Sequence, residues 1–266
     1  MLNIDLLNLK IYIFVINTVK YIEHINRNSD NNMDNFSSPE RRQVHDVSEV
    51  NGFLSKMYGY MGLAVLVSAI AAFLTMTVFR SAVMQMPTAL MWVILFVPIG
   101  LSLGISFKAT RNPVAGFIML MILAVIYGFE FALLAGYYTQ AQIGTAFLSS
   151  AAVFGSMAIF GTFTKKNLNN LGSYMRAALI GLFVAMIVNM FLRNSVATFI
   201  FSIIGVVIFT GLTAYDAQKM RNIYNSYGDQ VSTNGLAVLG ALQLYLDFIN
   251  IFLFLLQIFG MGNDRS

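Results

Sequence analysis

Cysteine is absent from the 266-residue chain, which excludes a disulfide framework, thiolate metal sites and cysteine nucleophiles. Histidine occurs twice, at His24 and His45, both in the polar N-terminal region. No HExxH-like spacing exists, so no zinc site is expected. Charge is scarce too: Asp, Glu, Lys and Arg make up 11% of the residues, where a soluble domain carries about 25%. Neither GxxxxGK(S/T) nor GxGxxG occurs, and no soluble stretch is long enough to form a nucleotide-binding domain. No cofactor is expected. The net charge of +4 reads as loop bias in a membrane protein, not as a nucleic-acid footprint.

Long apolar runs are what the chain has in abundance. It is 58% hydrophobic with a mean hydropathy of +0.71, the composition of an integral membrane protein. Seven segments, roughly 53–79, 88–107, 113–136, 141–163, 171–192, 196–217 and 235–259, are long and apolar enough to span. Each meets the need for about 20 apolar residues across a ~30 Å hydrocarbon core. They are far too long for barrel strands, and backbone polar groups in lipid must be satisfied internally, so the spans are helices. Short loops force antiparallel neighbours. The expected fold is an all-α membrane protein, a seven-transmembrane-helix bundle over residues 53–260, preceded by a polar N-terminal tail, 1–52.

Lys10, Lys20, Arg27, Arg41 and Arg42 in the tail share a side with Lys108, Arg111, Lys165, Lys166, Lys219 and Arg221. The opposite side holds Arg80, Arg193 and Arg265. The positive-inside rule then puts the N-terminus in the cytoplasm and the C-terminus outside, consistent with an odd number of spans. Within the tail, residues 11–19 are apolar but too short to span, and 21–35 read as a disordered linker. Residues 1–32 are taken as an interfacial or unstructured extension, with Met33 a natural start for the folded part.

Two acids fall in or beside the last apolar runs. Asp247 is the only charged residue between positions 235 and 260, and Asp216 sits where the sixth run ends. A carboxylate at membrane depth is costly unless paired, protonated or wetted, so each is a functional candidate. Gly240, Gln243, Asp247, Asn250, Phe254 and Gln257 recur at spacings of three and four, forming one face of the seventh span. That polar stripe has to face other helices or water, which places the C-terminal helix inside the bundle or against a polar cavity. Amides used only to glue helices are the plainer reading for Gln243 and Gln257.

In the sixth span, Ser202, Gly205, Gly211 and Thr213 form a small-residue surface suited to close helix approach. Counted from the outer ends of the spans, Asp247 lies about 18 Å deep and Asp216 about 30 Å deep. Direct contact then needs tilt, a kink or a bridging water or cation, and an interfacial Asp216 is the competing reading. If they meet, the two carboxyls can share one proton, and once ionised they offer oxygen ligands suited to Ca²⁺. Glu130, about three-quarters across the third span, either lines an outer vestibule or stays a neutral buried acid. Arg176 is expected to snorkel to the cytoplasmic surface. Lys108 or Arg111 either pairs with Asp216 or simply follows the positive-inside bias.

Three stretches resemble the Bax inhibitor-1 (TMBIM) family, bacterial branch. They are Thr213-Ala214-Tyr215-Asp216-Ala217-Gln218-Lys219, Leu244-Tyr245-Leu246-Asp247-Phe248-Ile249-Asn250, and Gly161-Thr162-Phe163-Thr164-Lys165-Lys166-Asn167-Leu168 with Leu171-Gly172 after it. The resemblance covers about residues 50–260. It implies a seven-helix bundle around a central last helix, in a bacterial inner (plasma) membrane. It also implies a pH-sensitive Ca²⁺ leak governed by a hydrogen-bonded aspartate pair, mapping onto Asp216 and Asp247. A basic residue on the second span is implied to latch the sixth-span aspartate; Arg111 and Lys108 are the candidates. Glu130 matches no identified family residue. Some bacterial proteins that the chain resembles restrain a membrane-anchored ATP-dependent protease, so a partner role through the tail is the alternative. Intramembrane aspartyl proteases share the Tyr-Asp of Tyr215-Asp216, but their Gly-x-Gly-Asp is replaced here by Leu244-Tyr245-Leu246-Asp247. The protein is therefore not expected to be an enzyme.

Overall fold

The structure, a computed structural model, describes residues 46–228 and 230–262. The expectations for residues 1–45 lie outside the described residues. All regular structure among the described residues is helical: α1 (Val47–Thr77), α2 (Arg80–Met84), α3 (Thr88–Lys108), α4 (Pro113–Ala135), α5 (Gln140–Phe163), α6 (Asn169–Leu192), α7 (Ser195–Tyr227) and α8 (Thr233–Gly262). All but the short α2 are long and apolar enough to cross a membrane. Together they form a seven-helix membrane bundle.

Local chemistry sets several helix starts. Asn112 caps α4 by accepting from the Ala115 N–H at 3.0 Å, with Pro113 in the first helical position. Thr139 and Gln142 form a reciprocal capping box at α5. Asn194 caps α7 from Ala197 at 3.1 Å, directly after Arg193 ends α6 in the left-handed conformation, φ 52°. These caps turn the chain tightly enough for consecutive spans to run antiparallel.

The last helix occupies the centre. In its most apolar stretch 89% of the residues of α8 are buried, against 17–44% for the other six spans. It packs against α1, α3, α4, α5 and α7. Aromatic side chains fill the contacts away from its polar stripe. Phe248 meets Phe147 and Phe154 edge-on, Phe252 meets Phe131 and Phe147, and Tyr245 lies 5.9 Å from Tyr127. Apolar side chains such as Leu66, Phe73, Ile118, Val188 and Val207 point outward from the surrounding helices, as a lipid-facing surface requires.

Two boundaries differ from the hydropathy reading in ways that matter for the acids. α1 begins at Val47, six residues before the expected 53, and α7 runs on to Tyr227, ten residues past the expected 217. Beyond Asp216 the sequence turns polar, yet Met220 and Tyr224 continue its face at four-residue spacing and are buried. Tyr224 stacks on Phe53 of the extended α1 with centroids 4.4 Å apart and planes 4° from parallel. Packing, not hydropathy, carries both helices past the apolar core. We call the end holding Lys108, Lys165, Lys166, Lys219 and Arg221 the basic end; Arg80 and Arg193 lie at the opposite end.

Candidate functional site

The α7–α8 interface is antiparallel and its register is legible pair by pair. Gly240 lies under Met220 and Met57, Asp247 meets Asp216, Phe254 covers Gly205 and Phe209, and Gln257 accepts from Ser202 Oγ at 2.6 Å. Every member of the expected stripe therefore faces inward, and the helix packs as its three-and-four spacing demands.

Asp216 and Asp247 are hydrogen-bonded to each other. Such a bond requires one of the two to donate as the neutral acid. Both are almost completely buried, at 4% and 1% exposure. The apparent depth gap closes when positions are counted from the loop at 228–232 that joins the two helices. Asp216 is then about 16 Å and Asp247 about 21 Å from that shared end, a difference of ~5 Å. The outer-end count misleads because the assumed outer ends are not level: α8 runs on to Gly262, past the expected 259. Asp216 packs against its helix neighbours and does not face outward, as a residue contacting headgroups would.

One turn toward the basic end from Asp247 lies Gln243, 3% exposed. Its Oε1 and the Asp247 Oδ2 are buried with no hydrogen-bond partner among the described residues. Asn250, one turn the other way, donates from Nδ2 to the Leu246 carbonyl at 2.9 Å. Apolar groups flank the acids along the stripe on both sides. Met57 and Met220 press on Gly240 toward the basic end, and the Phe254 ring sits on Gly205 at the other.

The charges that bear on Asp216 come from Lys219 and Arg176. Both stand over the Tyr215 ring, Lys219 Nζ at 5.8 Å and the Arg176 guanidinium carbon at 5.3 Å from its centroid. Tyr215 is seated against Gly172, where a side-chain carbon would overlap the ring. This corrects two expectations. Arg176 does not simply snorkel: it is half-buried, bonds through Nε to the Gly172 carbonyl at 3.1 Å and is held over Tyr215. Lys108 and Arg111 do not reach Asp216; both are exposed at the turn after α3, beside the start of α8. Lys219 was within reach of the sequence, being three residues after Asp216 on a continuing helix. Nothing in the sequence announces Arg176, because its proximity comes from the α6–α7 packing.

Further polar contacts fix the frame on the basic side. Gln218 accepts from the Leu168 N–H and donates to the Lys166 carbonyl, both at 2.8 Å. Arg221 donates to the Thr162 carbonyl, and Tyr58 pairs with Thr162 Oγ1 at 2.6 Å. The loop between α5 and α6 is thereby tied to α7 within a turn of Asp216.

Glu130 is 8% exposed. It acts electrostatically on Tyr245, whose hydroxyl pairs with Ser68 Oγ at 2.6 Å on a different face of α8 from Asp247. On that side an apolar cleft of about 440 Å³ opens between α1, α4, α5 and α8, lined by residues such as Ala72, Phe131, Ile143 and Phe252. No stripe residue lines it. No group of three or more metal-ligating His, Cys, Asp or Glu side chains occurs among the described residues.

Comparison with known proteins agrees with this architecture. Residues 50–264 match the family described as inhibitor of apoptosis-promoting Bax1. The protein YrjE of Lactococcus lactis is 38% identical over 221 residues, covering 82% of this chain and 94% of the relative. RP147 of Rickettsia prowazekii is 35% identical over 213 residues, 80% and 90% of the two chains. The inner membrane protein YbhL of Escherichia coli is 34% identical over 218 residues, 78% and 91% of the two. The family match runs from the first turn of α1 past the end of α8, so the chain belongs to the Bax inhibitor-1 family of membrane proteins.

Proposed function

We propose that the protein is a passive Ca²⁺ leak whose rate is set by the protonation of the Asp216–Asp247 pair. The observation that carries this reading is the hydrogen bond between two buried carboxyls, made on the one helix that the other spans surround. Two acids this close share a proton, and removing it leaves adjacent like charges with oxygens free to ligate a hard cation. Proton and Ca²⁺ thus compete for the same oxygens. The apolar closures at Met57–Met220 and Phe254 would hold the compartment shut while the proton stays.

The sign follows from that competition. Alkaline conditions remove the shared proton and favour cation binding, so flux rises with pH; acid restores the hydrogen bond and flux falls. Arg176 and Lys219 oppose a cation at the pair, and they take the place of the second-span latch in this reading. We further place the basic end in the cytoplasm, because seven of the basic side chains at or near the span ends cluster there: Lys56, Lys108, Arg111, Lys165, Lys166, Lys219 and Arg221. Peptide hydrolysis by the acid pair fits poorly, since Tyr245 and Leu246 are fully packed where a substrate backbone would have to approach.

Reconstitution in liposomes with an internal calcium dye, stepped from acidic to mildly alkaline buffer, tests the reading. Wild-type flux should rise with pH, and Asp216→Asn and Asp247→Asn should each abolish the pH response. Unchanged flux and pH profile in both variants would remove the pair from the mechanism. Acid-stimulated flux that depends on Arg176 would instead make the pair a latch.

A further inference from the structure

α1 and α5 are joined near the basic end and part toward the other. The Tyr58 hydroxyl donates to the Ala158 carbonyl at 3.3 Å and pairs with Thr162 Oγ1 at 2.6 Å. Toward the opposite end the cleft of about 440 Å³ opens between Phe73 of α1 and Ile143 and Gly144 of α5, with Phe248 and Phe252 of α8 as its floor. Ser68 lines it without offering a free polar group. Its Oγ donates to the Ala64 carbonyl at 2.9 Å and pairs with the Tyr245 hydroxyl at 2.6 Å. Water would find few partners on such walls, and an empty cleft would forfeit the dispersion contacts of its lining.

The dimensions decide what fits. Along α1 the lining runs from Val65 to Met76, about 16 Å at 1.5 Å per residue. That matches the hydrocarbon depth of one leaflet, half of a ~30 Å core. Spread over that length, 440 Å³ leaves a mean cross-section of about 27 Å². A helix ~10 Å across with its side chains needs roughly 80 Å². A spanning helix from a partner or a second copy is too wide, and a single hydrocarbon chain is not. Neither residues 73–79 nor residues 131–163 include a charged side chain, so hydrocarbon, and not headgroup charge, is what the site recognises.

We propose that this wedge binds one acyl chain of a membrane phospholipid, from the leaflet at the end opposite the basic one. The chain enters beside Gln140 and runs between α1 and α5 toward the point where Tyr58 and Thr162 draw the helices together. It lies against Phe248 and Ile249, which directly follow Asp247, and so braces α8 on a face other than the acid stripe. The site is independent of any ion passage.

The test places the full chain in liposomes of phosphatidylethanolamine and phosphatidylglycerol. Each lipid is supplied in turn as a probe with a photoreactive diazirine midway along one acyl chain, and mass spectrometry locates the adducts. Labelling at Phe73 and Ile143 should exceed that at the outward-facing Val188 and Val207 severalfold. A Cβ on Gly144 meets nothing within 4 Å, so Gly144→Leu grows into the cleft without a clash. Ala69→Leu fills it from the α1 wall. Each variant should cut cleft labelling severalfold, leave Val188 and Val207 unchanged and melt in detergent no lower than the wild type. Equal labelling of cleft and outward faces in the wild type would reduce the cleft to ordinary lipid contact, whatever the variants do. Undiminished cleft labelling in both folded variants places the chain elsewhere and overturns the proposal. Labelling that falls as the protein-to-lipid ratio rises would make a second copy the occupant. The two headgroups should label alike; a preference for phosphatidylglycerol would hand selection to Arg80, beyond the mouth, and end the chain-held reading.

Discussion

Asp247 carries one carboxyl bond to Asp216 and one bare oxygen, and the two require different partners. The bond to Asp216 needs a proton; the bare oxygen needs a donor or a cation. Around Asp216 the neighbouring charges are positive, from Lys219 and Arg176, and neither side chain is fully exposed. Neutralising them should lower the barrier to a cation reaching the pair. Arg176→Gln with Lys219→Gln is expected to raise Ca²⁺ flux several-fold, read in the same liposome assay; a fall would show that the two cations hold the open form. On the basic side Met57 is completely buried and touches Gly240. Met57→Ala should do two things at once: raise flux by loosening the closure, and lower stability by about 2 kcal/mol or more through the cavity it leaves. Thermal unfolding in detergent measures the second effect independently of the first.

Helix α7 shows where sequence reading succeeds and where it stops. Its outer portion, with Ser202 and Gly205 as small interface residues, is visible in the pattern, and the structure uses both against α8. Its last ten residues are not, because hydropathy scores solvent transfer and cannot see that Tyr224 has a ring to stack on. The gap between the two acids had a separate origin, at the outer ends, where α8 runs on to Gly262 past the expected 259. The face of α8 was legible throughout, since a three-and-four polar stripe in an otherwise apolar helix has only one stable placement. The charge neighbours of Asp216 were half legible: Lys219 shares its helix, whereas Arg176 arrives from α6 by tertiary packing. The extension also carries a prediction of its own. Tyr224→Ala removes the stack with Phe53 and should fray the end of α7, seen as faster hydrogen exchange over residues 217–227 than in the wild type. At the α5–α7 crossing, a methyl at Gly161 would overlap the Ala214 carbonyl, so Gly161→Ala should force the helices apart and lower the melting temperature in detergent.

Seven spans of similar hydropathy do not have similar roles in the bundle. Six of them present apolar side chains outward, and the seventh is enclosed. The enclosed helix carries Gln243, Asp247, Asn250 and Gln257, which lipid would tolerate badly, and the others hold them away from it. In chain order it follows every helix that it packs against. During synthesis the outer ring must therefore reach the bilayer before its own centre exists, with Asp216 and the inner faces of α1, α5 and α7 waiting for α8. The final helix has to enter sideways through a gap in that ring or be received directly by its neighbours as it leaves the translocation machinery. Assembly of the bundle and creation of the acid pair are then a single event, completed only when the last span is threaded home.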